Sequence, residues 1–477
     1  VILLLSASLC LSLLIGFLFA CLTLPGRQAC LPDRQACALG FLLRSSLAVG
    51  LGIGFCSLLY FVWLLIFGPA GKGFFLFETG LAVCLIAVLI YAKSRDGSST
   101  LFSDSPCAVR GSWLSRFIAI SFYIALTSAV FIAIYLMLSR PHGLWDAWSI
   151  WNMRARFIFR AGQGWTNAFS NLLFWSHPDY PLLLPAAVVR SWRYIGHEAQ
   201  AVPMAISILF CFAITGLLFS SVSGLRSRNQ GFLAAMVLLA TPLFVASGAA
   251  QYADLPLSFF FLATIVLLCL YDRSGDNRTL LILAGLTAGL SAWAKNEGIL
   301  FMLSVVIARA ISVVTQKGWR DFFRQMRSFI TGLIPVLIIL VCFKVKLAPA
   351  NDLFPPGTDY NIILGRVLDG SRYLMILKAF WLEVIHFGAA GFSIILLLLM
   401  YLLFMGGEVK KKGAGVITSV LILSMMAAGY FAIYLITPRM LAWHLRSSFD
   451  RLILQLWPVF IFVYFMIIKT PEERGVI

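Results

Sequence analysis

The sequence predicts an all-α polytopic membrane protein, and three observations carry that prediction. Of 477 residues, 61% are hydrophobic and 12% are charged, which leaves more apolar surface than a water-soluble fold can bury. Apolar runs of roughly 18 residues or more recur from one end to the other, the length at which a helix crosses a bilayer. Strand-like alternation is missing, and no long polar stretch sets off a soluble domain.

Taken in order, the runs place about thirteen spans at 1–22, 41–68, 73–92, 116–138, 200–222, 231–248, 253–271, 279–294, 298–315, 329–347, 374–406, 414–436 and 451–469. The first run lacks a basic start and a small-residue cleavage site, so it reads as a span and not as a cleaved signal peptide. The run at 374–406 is too long for one straight crossing. Gly388 or Gly391 marks a break there, with an outer juxtamembrane turn before the crossing itself. Two regions follow: N-terminal helices with their inner loops at 1–115, and a larger module at 116–477 that carries a long outer loop at 139–199.

Short basic loops set the orientation. "GLRSRNQG" (224–231), "QKGWRDFFRQMRS" (316–328) and "GGEVKKKG" (406–413) alternate correctly if all face the cytoplasm, and the loops around Arg27–Arg44 and Lys93–Arg116 then face in as well. The outward connections are 139–199, 248–252, 294–297, 348–373 and 437–450. The formal net charge of +17, from 37 Lys+Arg against 20 Asp+Glu, points to anionic lipid head groups and the inside-positive bias. Zinc-ligand spacing, a P-loop and a dinucleotide fingerprint are all missing, and nucleic acid is not an expected partner. The ten cysteines lie in spans, at their ends, or in inner loops (Cys30, Cys37, Cys107), which argues against a disulfide framework.

The outer side breaks the charge rule. Arg154, Arg156, Arg160, Arg190, Arg193, Arg366, Arg372, Arg439 and Arg446 all fall there, Arg451 sits at the mouth of the last span, and the mid-span segments are almost free of charge. All five histidines, His142, His177, His197, His386 and His444, lie on or near the same side. A charge at a helix centre costs roughly 2.5–3.5 kcal/mol, so charges kept at the membrane are functional suspects. Snorkelling to the interface is the alternative for any one arginine.

Five stretches form the outward constellation. In "GLWDAWSIWNMRARFIFRAG" (143–162), a helix over 145–160 puts Trp148, Trp151, Ala155, Ile158 and Phe159 on one face and Asp146, Ser149, Arg156 and Arg160 on the other. This reads as an interfacial helix with its tryptophans at the lipid boundary. Asp146 opens that helix, where it is either a cap or a reactive carboxylate. "WSHPDYPLLLPAAVVRSW" (175–192) holds a rigid turn with His177, Asp179 and Tyr180 before an apolar helix. "GAAQYADLPLSFF" (248–260) puts Asp254 at the outer mouth of a span, with Pro256 in its first turn. "LSAWAKNEGIL" (290–300) is a tight outer turn with Lys295 and Glu297, which could pair only with each other. "MLAWHLRSSFDRLILQLWP" (440–458) brings His444, Arg446, Asp450 and Arg451 to the last span.

One or two carboxylates can deprotonate a hydroxyl, several cations can hold a phosphate, and a tryptophan-rich helix can border a lipid-shaped groove. Glycosyl transfer from a lipid-phosphate sugar uses this set: the lipid phosphate is a good leaving group once neutralised, and one base on the acceptor side suffices.

The pattern resembles the GT-C membrane glycosyltransferases, in particular the branch of protein O-mannosyltransferases and bacterial aminoarabinose transferases of lipid A. "WDAWSIWNMRARF", "HPDYPLL", "QYADLPLSFFFLATI" and "GLTAGLSAWAKNEGIL" carry the resemblance over about residues 116–315, with further support from "HLRSSFDRLILQLWP". It implies an inverting transferase of the bacterial plasma (inner) membrane, taking an undecaprenyl-phosphate-type donor on the outer face. Asp146 would be the base. Lys295, Arg446, Arg451 and Arg156 would hold the donor phosphate. Asp254, Asp179, His177, Tyr180, Glu297 and His444 would bind the acceptor or sugar, or support the site. The acceptor is a lipid, a glycan or a protein. No cofactor is required, because the donor carries a single phosphate; a divalent cation held by Asp146 and Asp254 is the variant some relatives suggest. The competing readings are an oligosaccharide polymerase or ligase and a flippase or transporter. Transporters tend to place charge in broken helices at the midplane, whereas here it gathers at one face. The Pro/Gly-rich loop 348–373 reads as a connector or a lid.

Overall fold

The apolar runs become helices because a bilayer leaves backbone N–H and C=O groups no partner outside the segment. The computed structural model describes residues 2–24, 35–96, 112–274, 277–351, 353, 357–389, 391–407 and 413–477. Among these residues the chain is all-α, without strands; an isolated antiparallel bridge joins Gly407 and Ile468. The basic-loop residues 25–34, 97–111 and 408–412, with Cys30 and Cys107, lie outside the described residues, as does the side chain of Cys37.

The first four helices are α1 (Ile2–Thr23), α2 (Gln35–Phe67), α3 (Lys72–Asp96) and α4 (Trp113–Ser139). The long connection that follows carries a π-turn (Ala147–Trp151), α5 (Asn152–Arg160), two 3-10 segments and α6 (Leu183–Ile195). Next come α7 (Ala201–Leu225), α8 (Arg228–Leu239), α9 (Pro242–Ala250), α10 (Asp254–Ser274), α11 (Arg278–Ala294), α12 (Glu297–Lys317) and α13 (Trp319–Lys346). The chain closes with α14 (Tyr360–Leu368), α15 (Gly370–His386), α16 (Ile394–Met405), α17 (Ala414–Ile436) and α18 (Leu441–Ile467).

Among the described residues ten helices are long and apolar enough to cross a membrane: α1, α2, α3, α4, α7, α10, α12, α13, α17 and α18. The expected straight span at 231–248 is instead α8 and α9, bent by 66°. Pro242 begins α9 and has no N–H to continue the ladder of α8. Counted as one, the pair is an eleventh crossing. The expectation of thirteen is reached only by adding the shorter apolar helices α11 and α16. The expected break in 374–406 is present: α15 ends at His386, Gly388 and Gly391 take φ of +81° and +70°, and α16 starts at Ile394.

Helix α10 is the axis of the bundle, with nearly every side chain buried. The N-terminal helices share its core: Gly50 of α2 lies under the Phe259 ring, and Trp293 of α11 donates to Ser57 of α2 at 3.0 Å. The ends of the helices sort as the charge bias predicts. Arg226 reaches Ile468 O, Arg273 reaches Leu225 O, and Thr279 reaches Thr23 O at one end. Connections 139–199, 248–252, 294–297 and 348–373 meet at the other.

The mid-span segments, expected to be almost free of charge, hold Glu78 in α3 and Arg309 in α12 as exceptions, with Asp272 near the end of α10. Glu78 and Arg309 are fully buried, and each is neutralised by a partner: Arg190 for Glu78, and Asp272 for Arg309.

Candidate active site

Asp146, Asp254, Lys295, Glu297 and Arg451 come from four separate stretches and form one chain of ion pairs. A single guanidinium nitrogen of Arg451 lies 2.7 Å from a carboxylate oxygen of Asp146 and 2.7 Å from one of Asp254. Arg451 Nε donates to the same Asp254 oxygen at 2.8 Å. The other Asp254 oxygen accepts from Lys295 Nζ at 3.1 Å and from the Gln455 amide. Lys295 also reaches Glu297 at 2.7 Å, so it is a bridge and not half of an isolated turn pair. Tyr252 stacks under the Arg451 guanidinium, 4.4 Å from its ring centroid.

Local structure explains the convergence. Gly143 takes φ +73°, and a Cβ there would sit 2.5 Å from Ala250 O. Leu144 N–H donates to that same carbonyl at 3.2 Å. Gln251, itself left-handed at φ +61°, donates to Pro141 O at 3.0 Å and accepts from Asn152 at 2.8 Å. The start of the long connection is thereby stitched to the turn between α9 and α10, which sets Asp146 beside Asp254. From the opposite wall, Arg451 and Gln455 lie one helical turn apart on α18 and address both oxygens of Asp254.

Asp146 is not a cap: its side chain makes no capping hydrogen bond. The helix expected over 145–160 is present, but not with regular α-helical periodicity. A π-turn occupies Ala147–Trp151, and its wider turn shifts the register of the faces. Trp151, expected at the lipid boundary, is 1% exposed and stacks on Tyr180 with centroids 5.6 Å apart. Ser149, expected on the charged face, is buried too, whereas Trp145 and Trp148 are exposed.

A second network lies next to the first. The Tyr180 ring is sandwiched between Trp151 and His177, and Lys295 Nζ is 6.0 Å from its centroid. His177 takes the left-handed conformation that closes the turn. Asp179 is buried and accepts from Asn296 at 2.7 Å and Asn351 at 2.8 Å, with Lys344 Nζ 3.9 Å away. Lys344 donates to Asp179 O and Asn296 Oδ1. Arg154, wholly buried, holds the turn by donating to the carbonyls of Ser176, His177 and Tyr180.

These surroundings move the titrating groups. Burial pushes the Arg154 guanidinium down to about 10, with Asp179 pulling it back up. Burial also works against the Lys295 ammonium, but Asp254 and Glu297 hold it above its ordinary value, so it is charged at neutral pH. Burial, then the Asp146 charge, raises the Tyr252 phenol.

Three predicted residues stay outside both networks. Arg446 is exposed on α18, on a different face from Arg451. Arg156 lies 3.4 Å from Glu198, which Arg160 also holds with two hydrogen bonds. His444 meets Thr437 at 3.0 Å and the Tyr434 ring. Gln455, Tyr252, Asn296, Lys344 and Asn351 were not foreseen. The i,i+4 spacing of Arg451 and Gln455, and the Asn between Lys295 and Glu297, were the available signals. Other arginines at this end close helix ends: Arg366 and Arg372 donate to carbonyls of Tyr434, Leu435, Ile436 and Thr437 at the end of α17. Among the described residues no three His, Cys, Asp or Glu side chains gather as metal ligands would. Arg451 occupies the place between Asp146 and Asp254 where a cation bound by that pair would sit.

Comparison with known proteins bears on these networks. Residues 176–345 match the family model of dolichyl-phosphate-mannose-protein mannosyltransferases. That stretch holds Asp179, Asp254, Lys295, Glu297 and Lys344. The chain is also 27% identical over 216 residues to the "Probable peptidoglycan glycosyltransferase FtsW" of Geobacter sp. (strain M18), a match that covers 39% of this chain. The chain spans about half the length of that relative, 56% of it. No solved structure matches. The family match over residues 176–345 supports the resemblance to GT-C membrane glycosyltransferases read from the sequence, and the helical bundle is consistent with it.

Proposed function

We propose that the protein moves a sugar from a polyprenyl-phosphate donor to an acceptor hydroxyl, with inversion, at the outer face of a bacterial plasma membrane. The observation that carries this reading is Arg451 held between Asp146 and Asp254 at one end of the bundle. The three carboxylates and two cations of the cluster leave a net charge of −1, so an incoming phosphate must take a cation from a carboxylate. Asp254 is 1% exposed and keeps Lys295 and Gln455, whereas the Asp146 side chain is 18% exposed and, among the described residues, is held by Arg451 alone. Asp146 is therefore the carboxylate that gives up Arg451. Donor binding then places Arg451, with Lys295, on the phosphate and frees Asp146 as base. The acceptor O–H proton passes to the Asp146 carboxylate as the oxygen bonds to the sugar's anomeric carbon. The bond from that carbon to the phosphate oxygen breaks, and the lipid phosphate leaves with the electron pair. A single leaving phosphate needs no cofactor in this scheme. The Asp179–Lys344–Asn351 network, beside the site, would position the acceptor or the sugar.

The direct test is sugar transfer by purified protein from a panel of radiolabelled polyprenyl-phosphate sugars into a membrane extract, wild type beside Asp146→Asn. Transfer lost in the variant by about 10²–10⁴-fold, with donor binding retained, supports the base assignment. Transfer unaffected by Asp146→Asn moves the search to Asp179 or Asp254. Lipid translocation without transfer from any donor sinks the enzyme reading in favour of a flippase.

A further inference from the structure

Three side chains hold the Asp254 carboxylate. One oxygen takes Arg451 of α18, and the other takes Lys295, just past α11, and the Gln455 amide of α18. Arg451 and Lys295 are cations, and a donor phosphate competes with Asp254 for both. Gln455 is neutral, so it is the partner that a phosphate does not draw away. Its far end is fixed from the opposite helix. The Tyr430 hydroxyl of α17 donates to Gln455 Oε1 at 2.6 Å, and Gln455 Nε2 donates to Asp254 at 2.5 Å. The chemistry of the groups sets this direction. An ionised carboxylate only accepts, so the amide turns its N–H to Asp254 and its C=O to the phenol. Tyr430, Gln455 and Asp254 are all buried, and bulk water does not stand in for either hydrogen bond. Donation to the amide oxygen also polarises the amide and strengthens its N–H as a donor.

We infer that Tyr430 is a positioning residue for donor binding: it anchors the Gln455 amide on Asp254 and so keeps that carboxylate in place while Arg451 and Lys295 turn to the donor phosphate. This role rests on the transferase reading above. Tyr430 acts through Gln455 and touches neither donor nor acceptor. In the free protein Asp254 has two cations beside the amide, and the amide's share in holding it is small. Once a phosphate draws on those cations, the amide carries a larger share. The anchor therefore acts on donor affinity and not on the chemical step.

The test is steady-state transfer by the full chain, with the polyprenyl-phosphate sugar that the wild type transfers best. Wild type, Tyr430→Phe, Gln455→Leu and the double variant are run side by side. Gln455→Leu should raise the donor KM by about 10- to 30-fold, the loss of a hydrogen bond to a charged group. Tyr430→Phe should raise it by about 3- to 10-fold, with kcat within about 2-fold of wild type. The double variant should match Gln455→Leu, because the phenol then has no amide left to anchor. A residue that only holds the fold together would lower kcat along with the melting temperature and would not show this split. Additive effects on KM in the double variant would overturn the inference, as would an unchanged donor KM in Tyr430→Phe. If Gln455→Leu does not fold, the KM-against-kcat split of Tyr430→Phe decides alone. Failure of the wild type to transfer from any donor would sink the transferase reading, and this role with it, whereas transfer with equal KM in wild type and Tyr430→Phe sinks this role alone.

Discussion

Arg451 meets Asp146 at 2.7 Å across 305 positions of sequence, and the same guanidinium nitrogen touches buried Asp254. That shared nitrogen makes Arg451 both a structural clasp and the cation best placed to change partner. Removing it should lower stability by about 3 kcal/mol, the low end for a broken buried pair, because Lys295 and Gln455 remain on Asp254. Arg451→Lys should recover only part of the loss, since an ammonium cannot span both carboxylates as the planar fork does. Thermal unfolding of Arg451→Ala, Asp254→Asn and the double variant in detergent checks the coupling. The double variant should lose less than the sum of the singles; strict additivity would mean that the two side chains act independently.

Gly143 controls where Asp146 sits. Its φ of +73° and the 2.5 Å approach to Ala250 O leave no space for a methyl group. Gly143→Ala should cost about 1–3 kcal/mol in strain. By displacing Asp146 it should also slow sugar transfer by on the order of 10²-fold. Gly162 is the control: its φ is +53°, but nothing lies within 4 Å of an added Cβ. Gly162→Ala should therefore lose some stability and keep its transfer rate. Equal transfer rates in the two variants would remove the stitching of the 140–152 segment from the mechanism.

Arg154 fixes the turn that presents Asp179 and Tyr180, because its guanidinium answers three carbonyls at once. Arg154→Met fills similar space but leaves those carbonyls unpaired, at about 1–3 kcal/mol for each that water does not reach. Hydrogen–deuterium exchange should rise in peptides covering residues 176–182 and stay unchanged in α10. Protection unchanged at 176–182 would mean that packing of Tyr180 between Trp151 and His177 is enough to hold the turn.

Much of this was legible in the sequence. Hydropathy and the placing of basic loops were enough to sort the connections to two ends, because both follow from the energetics of a chain in lipid. That sorting put Asp146, Asp254, Lys295 and Arg451 at one end before any contact was known. Faces were harder to read. The π-turn after Asp146 breaks the 100° periodicity, which turned Trp151 inward. Arg446 and Arg451 stand five residues apart on one helix and so point to different sides, a distinction that sidedness cannot make. Lys344 and Asn351 join Asp179 only through tertiary packing. Glu78 stands in "FFLFETGLAVCL", and a lone carboxylate inside an apolar span implies a buried cation beside it.

That cation is Arg190 of α6, and the pair fastens the first helices to the long connection between α4 and α7. Glu78 and Arg190 are 0% and 1% exposed, with Nε 2.8 Å from the carboxylate. Tyr194 donates to the same carboxylate at 2.7 Å, and Arg190 also reaches Ser8 of α1. Glu78→Ala leaves a buried guanidinium unpaired and should destabilise the protein by about 3–5 kcal/mol. Replacing both partners with apolar side chains of similar size, Glu78→Leu with Arg190→Met, should restore much of that loss, because two desolvation penalties vanish together. Limited proteolysis of the 162–182 segment separates a local role from a global one. If the pair docks α6 on α1 and α3, Glu78→Ala should speed cleavage in that segment and the double variant should reverse the effect. Cleavage that is unchanged in Glu78→Ala, beside a lowered melting temperature, would restrict the pair to holding α1–α3 together.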